Sequence, residues 1–92
     1  MVLRHIKTFE ALGNETRLKV FDFIYRSGAK GVKPKQIIEE FGVDSGTLDF
    51  HLKRLVAAGL IVIDGSKGSS LYCPSKEALY QLATLFQTYG QM

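Results

Sequence analysis

Gly42 is the residue that most limits what this chain can fold into. Before it, Ile37, Ile38 and Phe41 fall at helical spacing behind Pro34; after it, Leu48, Leu52, Leu55 and Val56 repeat the spacing. Proline at a first helical position sacrifices no hydrogen bond. Glycine tolerates the left-handed backbone that a sharp turn requires. The pattern predicts a short helix, a tight turn and a second helix capped by Asp44 or Ser45 and stopped at Gly59. Ser45, Gly46, Thr47, Asp49, Phe50 and Lys53 are then left to point outward from the second helix. Alone, this unit also fits a plain helical hairpin.

The next segment narrows the choice. Leu60-Ile61-Val62-Ile63 is a short run of branched apolar residues and reads as a strand. Residues 64–70 are polar and glycine-rich, and Leu71-Tyr72-Cys73 resumes as a second strand, so the pair predicts a hairpin. Upstream, residues 3–12 place Leu3, Ile6 and Phe9 on one helical face. Asn14 is a suitable cap for a helix running to about Ser27, with Leu18, Val20, Phe21, Ile24 and Tyr25 as its apolar side and Gly28 closing it. Residues 28–33 read as a loop with a very short strand near Val32, and Lys33 is a poor cap for the helix behind it. Ser75 can cap a last helix carrying Leu79, Leu82, Leu85, Phe86 and Tyr89. The order is four helices, strand-turn-strand and a helix. That is a mainly α fold with a small β-hairpin, a winged helix-turn-helix over residues 1–92 as a single domain.

Composition excludes several other classes. The chain has 92 residues with 46% hydrophobic and 23% charged side chains, an ordinary globular balance. Its net charge of +3 permits a nucleic-acid partner without demanding one. Cys73 is the only cysteine, so no disulfide forms within the chain. No apolar run approaches the ~20 residues of a membrane span. Arg4, His5 and Lys7 are not followed by the apolar stretch of a secretory signal, so a cytoplasmic location is expected. No phosphate-binding glycine loop, catalytic dyad or nucleophile–base pair is visible, and neither enzymatic activity nor a cofactor is expected.

The candidate site is therefore a surface for double-stranded DNA. A helix whose N-terminal residues are free can enter the major groove and touch base edges. Ser45, Gly46, Thr47, Asp49, Phe50, His51, Lys53 and Arg54 lie on the second helix of the unit, with Lys35 and Gln36 on the first. Lys67 in the hairpin turn would neutralise a phosphate beside them. Leu3, Ile6, Phe9, Leu79, Leu82 and Phe86 form apolar stripes that so small a core cannot absorb, and they predict a homodimer interface.

Two further stretches carry a family likeness. They are Ala11-Leu12-Gly13-Asn14-Glu15-Thr16-Arg17-Leu18, and Thr47-Leu48-Asp49-Phe50-His51-Leu52-Lys53-Arg54-Leu55 followed by Ala58-Gly59-Leu60-Ile61. From Phe9 to about Phe86 the chain resembles the ArsR/SmtB family of winged-helix bacterial repressors. The resemblance implies a dimer built by the first and last helices, operator binding near a promoter, and release on an inducing signal. Ile38 stands where such proteins usually keep a small residue, and Asp49 and Phe50 where serine, histidine or arginine is common.

The metal-sensing residues of that family are missing. The helix before the turn has no cysteine, the last helix has no histidine, and no cysteine follows it, so no metal site is expected. Cys73 reads as a half-buried hydrophobe, with a redox role as the alternative, and His51 as packed or near DNA. An alternative function is also open: a winged-helix protein-interaction module without DNA binding, using Phe50 as an apolar contact while Asp49 discourages phosphates.

Overall fold

The computed structural model describes residues 2–65, 70–78 and 80, with side chains from Ile6 onward. The described elements run α1 (Val2–Leu12), α2 (Glu15–Ser27), a 3-10 turn (Gly28–Lys30), α3 (Pro34–Phe41), α4 (Ser45–Ala57), β1 (Ile61–Asp64) and β2 (Leu71–Pro74). The backbone is helical again at 76–78 and at 80. No helix among the described residues is long and apolar enough to cross a membrane.

Side-chain caps set the helix starts. Asn14 Oδ1 accepts from Arg17 N at 2.9 Å and opens α2. Asp44 Oδ2 accepts from Thr47 N at 3.1 Å and opens α4, which makes Asp44 the cap and Ser45 the first helical residue. The start of α3 is better defined than Lys33 suggests. Its N–H donates to Gln36 Oε1 at 2.8 Å, the reciprocal half of a capping box.

α2, α3 and α4 enclose the core with α1 and the hairpin against them. Val20, Ile24, Ile37, Leu55 and Leu60 are fully buried. Each such side chain stabilises the fold by about 1.5–3 kcal/mol relative to exposure. Phe23 and Phe41 meet edge to face at 5.5 Å, joining α2 to α3.

The buried stripe of α2 differs from the expected one. It is Arg17, Val20, Phe21 and Ile24, whereas Leu18 and Tyr25 are exposed. Position 17 is in helical phase with 20, 21 and 24, at i, i+3, i+4 and i+7, whereas 18 and 25 fall to the side of that stripe. Among the described side chains of α1, Thr8 and Ala11 are buried, while Ile6 and Phe9 are exposed.

β1 and β2 pair antiparallel, with Ile61 opposite Pro74 and Asp64 opposite Leu71. The short strand expected near Val32 is one bridge. Val32 N donates to Tyr72 O at 2.9 Å, and Tyr72 N returns the bond at 2.8 Å. Gly31 allows this approach: a Cβ on it would lie 2.7 Å from Cys73 Sγ, and its φ is +74°. Ser75 closes the root of the hairpin, donating from Oγ to Gly59 O at 2.6 Å and accepting from Ala78 N at 2.9 Å. Leu79, Leu82, Phe86 and Lys67 lie outside the described residues, as does the Leu3 side chain.

Candidate nucleic-acid interface

The turn between α3 and α4 consists of Gly42, Val43 and Asp44. Gly42 sits at φ 68° and ψ 19°, the left-handed region, and donates its N–H to Ile38 O at 2.8 Å. α4 then buries Leu48, His51, Leu52 and Leu55. Its other side exposes Ser45, Gly46, Thr47, Asp49, Phe50, Lys53 and Arg54. The outward positions expected from spacing, Ser45, Gly46, Thr47, Asp49, Phe50 and Lys53, are thus all on one helix and in solvent.

His51 takes the packed one of its two expected placements. It is only 6% exposed and continues the inward stripe from Leu48, so it is not on the outer face. Its Nδ1 is buried without a hydrogen bond. Burial, and then the nearby Arg17 cation, hold its pKa below the usual 6.5. The imidazole is neutral at pH 7.

The exposed face carries its own electrostatics. Lys53 Nζ and Asp49 Oδ2 form an ion pair at 2.9 Å, which raises the Lys53 pKa. Thr47 Oγ1 donates to Asp44 Oδ1 at 2.5 Å. This bond and the Thr47 backbone N–H hold the Asp44 carboxyl below its ordinary 3.8. Thr47 is therefore fixed at the tip of α4 with its hydroxyl proton already committed. Phe50, half exposed, lies 5.1 Å from Arg54 Cζ and 5.9 Å from Arg17 Cζ. Its ring is flanked by cations and is no bare apolar patch. Lys35 and Gln36 are exposed on the first turn of α3, but the Gln36 amide oxygen is engaged in capping.

Arg17 is the functional candidate that apolar spacing does not reveal. It is nine-tenths buried, in line with Val20, Phe21 and Ile24. An arginine three residues before a buried valine on a capped helix was the available signal. Among the described residues, no three His, Cys, Asp or Glu side chains group as a metal would need.

The helix-turn-helix domain family matches residues 12–64, more than half of the chain and the whole unit from α2 to β1. The chain belongs to the helix-turn-helix domain family. That membership puts it among DNA-binding transcriptional regulators. The fold of this helix-turn-helix protein is shared with an ArsR-like transcriptional regulator from Rhodococcus sp. RHA1, at 20% identity and TM-score 0.81, over 98% of this chain and 82% of that one. It is shared also with HlyU from Vibrio cholerae, at 18% identity and TM-score 0.75, over 96% and 94% of the two chains. A structure of MarR matches at 17% identity and TM-score 0.65, over 94% of this chain and 66% of the other. No curated protein sequence matches the chain. The winged architecture and the ArsR/SmtB likeness read from the sequence are both found.

Proposed function

We propose that the protein binds operator DNA as a homodimer, with α4 as the recognition helix and the hairpin as a wing. The observation that carries this reading is the free side of α4. Beyond the Gly42 turn it presents Ser45, Thr47, Asp49, Phe50, Lys53 and Arg54 to solvent while its other side is sealed in the core. A helix so mounted has the shape and polarity of a major-groove reader. Ser45 suits base edges or phosphates, the Thr47 hydroxyl oxygen can accept from a base donor, Asp49 can accept from cytosine N4, and Phe50 can meet a thymine methyl. Lys53, Arg54 and Lys35 supply phosphate contacts, to which Lys67 in the wing would add.

Dimerisation is supported by α1. Ile6 and Phe9 are 42% and 54% exposed one turn apart. Such a stripe on so short a chain fits a two-fold interface that the last helix would complete. A dimer with recognition helices about 34 Å apart reads a pseudo-palindrome. Repression is the expected outcome at a promoter, and no metal is needed for binding.

The test is selection and footprinting of DNA with the purified protein, followed by affinity measurement across salt. If each subunit neutralises about three to five phosphates, the log–log slope is roughly −5 to −9. A flat salt response with no selected sequence would favour the protein-interaction alternative.

A further inference from the structure

Arg17 is nine-tenths buried, yet its side chain donates no hydrogen bond among the described residues, and its Nε is sealed from solvent without a partner. An Nε–H sealed without an acceptor is costly, and the terminal nitrogens, which are not sealed, leave the guanidinium able to take a partner with acceptor oxygens. Arg17 lines a cavity of about 260 Å³ between α1, the start of α2 and the C-terminal half of α4. Arg54 and Lys7, both exposed, line the same space, and Glu10 is its one acid. Ala11 and Ala58 add methyl groups to the wall. The lining is thus cationic around an apolar patch, and the space exceeds what a bare oxyanion needs.

We propose that this cavity binds a small organic acid, with its carboxylate on the Arg17 guanidinium beside Arg54 and Lys7 and its apolar body against the alanine methyls. A planar carboxylate matches the guanidinium fork in a bidentate pair. The shared chemistry is an oxyanion, which a phosphate of duplex DNA could also supply. Two observations favour the free acid: a duplex phosphate reaches exposed cations more readily than one nine-tenths buried, and it brings nothing for the methyl wall. Occupation would be felt at Phe50, whose ring lies against both arginines. Any effect on operator affinity rests on the DNA-binding reading above; binding of the acid does not.

The Arg17 Nε–Hε resonance of the DNA-free protein, followed by NMR, tests this. Benzoate and hexanoate should shift it saturably. Lys7→Gln and Arg54→Gln, both at exposed positions, should each weaken the binding by about threefold to tenfold while leaving the fold intact. Inorganic phosphate and a duplex are titrated separately. A resonance moved only by duplex overturns the proposal in favour of a DNA phosphate contact. Equal response to phosphate and the two carboxylates removes the case for an organic body. No response to any of them means Arg17 is satisfied internally, for example through a water to His51, and the proposal falls. Because the first titrations contain no DNA, they remain decisive even if the protein binds none.

Discussion

Lys53 Nζ lies 2.9 Å from Asp49 Oδ2 across one exposed turn of α4, so the central cation of the proposed recognition surface is already paired before DNA arrives. The pair resolves the oddity of an acid at that position. Asp49 holds Lys53 in place and also offsets its charge toward phosphates.

Breaking the pair should separate these effects. Asp49→Asn is expected to tighten binding to unrelated sequences by about threefold or more, steepen the salt dependence and change the selected site. Lys53→Ala should weaken binding to every sequence and flatten the log–log slope by about one or two units, since a dimer loses the contact twice. Affinity measurements from low to physiological salt on both variants check this.

His51 should make the fold acid-sensitive. Its folded pKa lies below 6.5, so as pH falls from that value the unfolded chain takes up the proton first. The contribution is complete above pH 6.5 and is lost as pH drops through the folded pKa, with a slope of at most about 1.4 kcal/mol per pH unit. Urea unfolding at about pH 7.5, 6.5 and 5.5 should show that decline, and His51→Gln should flatten it. An unchanged pH profile in the variant would assign the decline to other groups.

Gly31 should be intolerant of a side chain. Gly31→Ala combines a positive φ with a Cβ 2.7 Å from Cys73 Sγ and 3.3 Å from Tyr72 O. A loss of more than about 1 kcal/mol is expected. Adding Cys73→Ala should recover part of it, because only the sulfur clash is removed and the backbone strain remains. Thermal unfolding of the two single variants and the double variant measures the coupling.

Ile6→Glu with Phe9→Glu should give a folded monomer. Both side chains stand on the exposed side of α1, away from the core positions Thr8 and Ala11. Sedimentation at tens of micromolar would show the change of mass, and circular dichroism would show that the helices persist. A wild-type chain that sediments as a monomer would refute the dimer.

The architecture was largely legible in the sequence because its boundaries are chemical. Pro34, Gly42, Asp44 and Gly59 act through backbone geometry and caps that need no tertiary context, and each stands at an element boundary. The inward stripes were harder. Leu18 is more apolar than Arg17, yet Arg17 is the one in helical phase with the buried Val20, Phe21 and Ile24, and it lines a cavity. Leu48, His51, Leu52 and Leu55 form an unbroken helical stripe, which puts His51 in the packed one of its two expected placements. The pairing of Asp49 with Lys53 follows from their spacing of four residues, whereas the Arg17–Phe50 contact joins α2 to α4 and no spacing could disclose it.

Ser75 has a mechanical consequence. Its hydroxyl is the joint at which the end of α4 meets the start of the helical segment after the hairpin, gripping Gly59 O on one side and Ala78 N on the other. A rotation of that segment must either break one of these bonds or carry the C-terminal end of α4 with it. In the proposed dimer, this joint would gear the angle between the subunits to the angle at which α4 is presented.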